Sequence, residues 1–280
     1  GNSGGGSLMA AYQSQAIEPN LTAEYGRTSI VPSAFEIPSA DLYISVAAHP
    51  GRPEVLTNWM DASVKEESDP LSVIPDLAPF ADDREVPFTQ NFIEKYRDAQ
   101  LRRNHRITDW ARDEIDRVVA AGHYDRLFTT PRLWADLRMI DGSIDPNNRQ
   151  VPSCYLGDPR RANYGIYGVG TVSSLRTWLS MWSLSDSQCN AAPHLARINL
   201  PALVIDADAD TGVFPSDTRA IADALGSEDL TLHTIEGDHY LRERDEARGE
   251  AADLIVEWII DCLHFYFSFY LSLFDISRMC

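Results

Sequence analysis

The first five residues, Gly1-Asn2-Ser3-Gly4-Gly5, satisfy the pattern G-x-S-x-G. In that pattern a serine sits at a sharp strand-to-helix corner with its hydroxyl exposed, and small neighbours let the backbone bend so tightly. The same stretch, GNSGGGS, also has the composition of a flexible Gly/Ser linker, so the serine needs partners elsewhere in the chain. Acids close the apolar run ALVIDADADTGVFP, where Asp206, Asp208 and Asp210 leave a buried strand. Ligands bind at that edge of a parallel sheet. The spacing resembles a calcium loop, but Thr211 stands where such a loop requires glycine, and Asp217 where it requires a bidentate Glu. Another use of a carboxylate is to orient a histidine. Gly237-Asp238-His239-Tyr240 follows the next strand, which puts His239 on a loop at the same edge. An imidazole there can take the proton of Ser3 and return it to a leaving group, while Asp210 fixes its tautomer and stabilises the imidazolium. Asp208 is the alternative acid.

These side chains need a common frame. LMAAYQSQAI, residues 8–17, has helical apolar spacing and follows the glycine cluster, so a helix is expected to start near Ser3. DLYISVAA, residues 41–48, reads as a buried strand closed by the turn residues His49-Pro50-Gly51. After Pro201 strand and helix alternate, with strands at 202–206 and 230–235 and helices near 216–225 and 247–261. Such alternation predicts an α/β fold, a mostly parallel sheet with helices on both faces. Between Pro70 and Pro201 the pattern turns mostly helical. Residues 92–121 support one long helix or two consecutive ones, stopped by Gly122, and residues 175–184 support another that is nearly free of charge.

A chain of 280 residues fits one large α/β domain with an inserted subdomain as well as two domains. With 44% hydrophobic and 24% charged residues it is expected to fold as a globule. Its 42 acidic residues against 24 basic give a formal charge of -18, which argues against nucleic acid and anionic lipid as partners. Cys154, Cys189, Cys262 and Cys280 are too widely spaced for a metal site and leave the redox compartment open. Gly165, Gly168 and Gly170 lack the strand–turn–helix context of a dinucleotide site, so neither metal nor cofactor is expected. The first residues carry no basic and apolar export pattern, which favours the cytoplasm and makes the Asn20-Leu21-Thr22 glycosylation match accidental. Residues 255–274 reach membrane-span length but contain Glu257, Asp261 and His264. Two pieces are expected there: a closing amphipathic helix at about 247–261 and an atypical hydrophobic tail, 262–280. The compositional break at the tail fits either a read-through extension or a peripheral anchor.

Three segments together resemble the α/β-hydrolase superfamily of serine hydrolases. GNSGGG resembles its nucleophile elbow, LPALVIDADADTGVFPSDTRAIADAL its acid-bearing strand, loop and helix, and TIEGDHYL its histidine loop, in the family's order Ser, Asp, His. The resemblance covers both flanks of the chain, and the middle half matches only as a lid. It implies Ser3 as nucleophile, Asp210 as acid, His239 as base and Gly4 as the donor of one oxyanion N–H. The reaction implied is cleavage of a carboxylic ester, lactone or related acyl bond in a small molecule. Family members carry several strands and a second oxyanion donor ahead of the elbow, so the chain is expected to begin inside a hydrolase core. The implied organisation is core at 1–56, lid at 57–195, core at 196–261 and tail at 262–280. The alternative is an inactive, truncated hydrolase-like protein serving as an interaction module.

The chain between Ser3 and Asp210 is far longer than two β–α units of roughly 30 residues each require. The excess is expected to cover the site and exclude water. Within it Tyr167 and Trp178 belong to an aromatic, charge-poor stretch that either lines an apolar pocket or packs as ordinary core. His49 and Arg52 follow a strand at the active edge and are candidates for substrate contact. Lys95, Arg97, Arg102, Arg103, Arg106, Arg112 and Arg117 could steer an anion, but the acids interleaved with them point to a solvated, ion-paired helix. His233, inside a strand, reads as structural.

Overall fold

Aliphatic and β-branched residues at three places in the chain form one parallel sheet. In chain order the strands are β1 (Tyr43–Val46), β2 (Val64–Glu66), β3 (Asp69–Val73), β4 (Leu127–Thr129), β5 (Val172–Ser174), β6 (Ala202–Ala207) and β7 (Leu230–Ile235). The main sheet has the order β1-β6-β7, all parallel, with Tyr43 opposite Ala202 and Val204 opposite Leu232. Asn2 adds a parallel bridge to Val46 on the outer side of β1. The computed structural model describes residues 1–23, 25, 36–242 and 244–276, the stretch 265–276 by backbone alone.

The helices are α1 (Gly4–Ile17), α2 (Arg52–Trp59), α3 (Gln90–Ala120), α4 (Pro159–Asn163), α5 (Leu175–Thr177), α6 (Ala192–Leu195), α7 (Pro215–Ala224) and α8 (Ala247–Ile276). Both sheet faces are covered, which is why β6 is apolar at successive positions instead of alternating. Ala202 and Val204 face Ala10 of α1, Leu195 of α6 and Ile221 of α7. Leu203 and Ile205 face the other way, onto Ala251, Leu254, Ile255 and Trp258 of α8. The two faces differ by one residue because successive strand side chains alternate.

The middle of the chain is mainly helical, built around α3, a single helix whose first turn is capped by the Thr89 hydroxyl accepting from Phe92 N–H. Its apolar stripe, Ile107, Ala111, Ile115 and Val118, packs on Leu56, Leu175 and Trp178. The stretch 175–184 is not one regular helix: α5 ends at Thr177 and a π-helical turn follows at Trp178–Trp182. Two short antiparallel pairs, β2-β3 and β4-β5, were not expected from the sequence, because strands this short carry too little periodicity to register. The expected break near residue 261 does not occur, and α8 runs unbroken to Ile276. Nothing after Gly249 stops it, since no Gly or Pro follows up to that point. Among the described residues no helix is long and apolar enough to cross a membrane. The end of the expected tail, 277–280, lies outside the described residues.

Candidate active site

Ser3 precedes α1 with φ 51° and ψ -125°, a backbone conformation that side-chain-bearing residues rarely adopt. Holding it costs of order 1–3 kcal/mol, which the surroundings must over-determine. They do so from two sides. Ser3 N–H donates to Val46 O at 3.1 Å and Val46 N–H donates to Gly1 O at 2.9 Å, so the residues before the serine lie on the sheet edge. On the other side α1 runs back against the end of β1, and a Cβ on Gly6 would collide with the Cβ of Ala48. A bridge to the sheet edge, the strained serine and a helix N-terminus thus follow within four residues. The Gly4 N–H, at the first turn of α1, has no acceptor among the described residues.

Ser3 opens on a cavity of about 280 Å³, walled by Gly4, His49, Arg52, Trp59, Tyr155, Trp182 and Tyr240. Arg52 and Trp59 are the ends of α2, a helix the sequence reading missed although Pro53 and Glu54 in its first turn signal a start. His49 is buried, and its Nδ1 has no partner among the described residues. Burial first, then the charges of Arg52 and His239, push its pKa down to about 4, so the ring is neutral near pH 7.

Asp210 and His239 meet at the carboxyl ends of β6 and β7. Asp210, 1% exposed, takes the His239 Nδ1–H on Oδ2 at 2.6 Å. Its other oxygen, Oδ1, accepts Gly212 N–H at 2.8 Å and Val213 N–H at 2.9 Å. The carboxylate is therefore fully used, and Nε2 of His239 is left as the basic nitrogen. The Tyr155 hydroxyl lies 3.0 Å from His239 Nδ1 and donates to Asp210 Oδ1 at 3.4 Å. Burial, and next the Asp210 charge, raise the Tyr155 pKa well above its ordinary value, so it stays a neutral donor. Its ring lies against the imidazole at 4.5 Å between centroids, and Tyr240 meets the imidazole edge-on at 4.8 Å.

Asp208 does a different task. Its Oδ1 accepts Gly237 N–H at 2.9 Å and its Oδ2 accepts from Asn148 Nδ2 at 2.7 Å, tying the histidine loop and the middle segment to β6. Asp210 is the acid that touches the histidine.

The structure brings Asp210 and His239 together directly and places Ser3, Gly4, His49 and Arg52 around one cavity. No hydrogen bond joins Ser3 to His239, but Tyr155 and Tyr240 border both. Two expected contact residues fall elsewhere. Trp178 is wholly buried in the α2–α3 core, its Nε1–H donating to Thr108 Oγ1 at 3.1 Å, because its apolar area serves packing. Tyr167 is 73% exposed and offers only its carbonyl, to Trp134 Nε1–H. Trp182 and Trp59 line the cavity instead. Tyr155 left no signal in the sequence, since it lies in an irregular stretch and meets His239 only through the fold; Tyr240 was adjacent to the histidine and legible on that ground.

The basic residues of α3 are mostly spent in pairs: Arg102 with Asp98, Arg112 with Asp109 and Asp186, Arg117 with Glu114, Arg97 with Asp136, and Arg103 and Arg106 with Glu67. Among the described residues no cluster of His, Cys, Asp and Glu could hold a metal ion.

The sequence matches no protein-family model and no curated protein. Among solved structures it is similar to one named as a non-heme bromoperoxidase from Mycobacterium tuberculosis, at 15% identity and a TM-score of 0.32, covering 90% of this chain and 63% of that one. This chain therefore spans less than two thirds of that protein.

Proposed function

We propose that the chain is the catalytic part of an α/β-hydrolase-fold serine hydrolase that cleaves a carboxylic ester, lactone or related acyl bond. The observation that carries this reading is the strained Ser3, φ 51° between a strand edge and a helix N-terminus, at the same sheet end as the buried Asp210–His239 pair. Strain of this kind clusters at active sites.

In the proposed reaction Ser3 Oγ attacks the substrate carbonyl carbon and its proton passes to His239 Nε2. Asp210 holds Nδ1–H and stabilises the imidazolium. The Gly4 N–H receives the developing oxyanion; loss of one such donor typically costs about 10² to 10³ in rate. Collapse expels the leaving group, which takes the proton from His239, and leaves an acyl ester on Ser3. Water, deprotonated by His239, attacks that ester, releases the acid and returns the proton to Ser3. Proton transfer requires Ser3 and His239 to approach, and such contacts often tighten only when substrate is bound. In this reading the segment 57–195 is the lid, and Tyr155 is its contribution to the site.

A fluorophosphonate probe, which reacts with activated serines, tests the proposal. Labelling of the folded protein that vanishes in Ser3→Ala is the expected result; a folded protein that stays unlabelled would sink it.

A further inference from the structure

Arg52 lies beside the nucleophile and, among the described residues, has no anionic partner for its charge. Its Nη2 is 3.3 Å from where a Cβ on Gly4 would stand, and its guanidinium lies 5.9 Å from the centroid of the Trp182 ring. Among the described residues no carboxylate, carbonyl or hydroxyl accepts from it. The buried arginines of this chain are treated differently from this half-buried one. Arg103 gives two bonds to Glu67 and further ones to backbone carbonyls, Arg138 is held by Asp136 and Asp217, and Arg132 pairs with Asp61. In a chain with 42 acidic and 24 basic residues, acids are plentiful. Yet the nearest in sequence, Glu54, leaves its Oε2 buried without a partner, and burial raises its pKa toward the neutral form. The face of Trp182 returns to this half-buried guanidinium only part of what a hydrogen-bonded carboxylate would give, and its hydrogen-bonding fork is left open.

His49 supplies an independent observation. It lines the same cavity with Nδ1 buried and unpartnered, and it is neutral near pH 7. A neutral imidazole donates from one nitrogen. The cavity thus combines a cationic fork, a neutral imidazole and the aromatic walls Trp59 and Trp182.

The geometry points to a substrate whose acyl part carries a carboxylate, gripped by Arg52 within a few bonds of the carbonyl that Ser3 attacks. The guanidinium fork matches a carboxylate in two parallel hydrogen bonds, and the rest of the acyl chain lies on the aromatic walls. The turnover part of this inference rests on the hydrolase reading; the binding part does not.

The test compares mono(4-nitrophenyl) glutarate with 4-nitrophenyl pentanoate, esters that share a five-carbon acyl chain, with Ser3→Ala as the blank. The wild type is expected to prefer the charged ester by roughly 10- to 100-fold in kcat/KM, the worth of a charge-assisted contact. Arg52→Gln brings that ratio close to one through KM, and Arg52→Lys keeps part of it. Two outcomes overturn the inference: a wild type with no preference, or an Arg52→Gln enzyme whose kcat falls equally on both esters with the ratio intact, which is the mark of an oxyanion or structural role. If the wild type cleaves neither ester and Ser3 stays unlabelled, the hydrolase reading fails separately. Calorimetric titration with glutarate then decides: binding to wild type and not to Arg52→Gln upholds the carboxylate site, and no binding to wild type overturns it.

Discussion

Gly212 and Tyr155 are so close that the glycine has no room for a side chain: a Cβ there would lie 2.6 Å from Tyr155 Cε1 and closer still to the end of the ring. The acid loop after β6 thus receives a ring from the middle of the chain, and that ring also rests on His239.

Gly212→Ala is therefore expected to destabilise the protein by about 1–3 kcal/mol, the usual cost of overpacking, and to slow fluorophosphonate labelling by displacing Tyr155. Tyr155→Ala in the same chain removes the obstacle and should restore part of the stability lost to the alanine. Urea unfolding of both single variants and the double variant measures the coupling; additive losses would contradict the contact.

Asp210→Asn keeps the size of the side chain but no longer favours the Nδ1–H tautomer. Turnover of an activated ester should fall by roughly 10⁴, with the far-ultraviolet circular dichroism spectrum unchanged. Asp208→Asn, by contrast, disturbs only the Gly237 and Asn148 contacts and should cost far less; comparable losses in the two would reassign the acid.

His49 gives a pH prediction. Burial, with help from Arg52 and His239, lowers its pKa to about 4 in the folded protein, against about 6.5 in an unfolded chain. Between those values the unfolded chain binds a proton that the folded one does not, so stability falls as pH drops from about 6.5 to about 4 and levels off below. The full loss is roughly 3 kcal/mol. In His49→Gln that slope should disappear, and unfolding free energies at about pH 7 and pH 4.5 for both proteins check it; equal drops in the two would contradict the assignment.

Trp178 and Trp182 stand at two ends of one turn and should separate cleanly. Trp178→Phe removes core volume and the bond to Thr108, so it should lower stability by about 1–3 kcal/mol while KM for a neutral ester stays within about twofold. Trp182→Ala opens the cavity wall and should raise KM several-fold. Thermal unfolding and steady-state kinetics on the pair distinguish packing from lining.

Much of this arrangement was legible in the sequence because it depends on local rules. Apolar runs at 41–48, 202–206 and 230–235 separated by helical periodicity predict a parallel sheet, and a loop after each strand puts Asp210 and His239 at one edge without knowledge of contacts. The glycines around Ser3 announce a bend that only small residues permit. Tertiary structure decided what periodicity cannot encode. Trp178 and Trp182 carry the same aromatic signal, and only the packing of α2 and α3 buries one and leaves the other on the cavity. Asp208 and Asp210 are chemically identical in the sequence; the path of the β6 loop gives one to Gly237 and Asn148 and the other to His239. Tyr155 reaches the site from the irregular part of the middle segment, a placement set by long-range contacts alone, for which no spacing along the chain exists to be read.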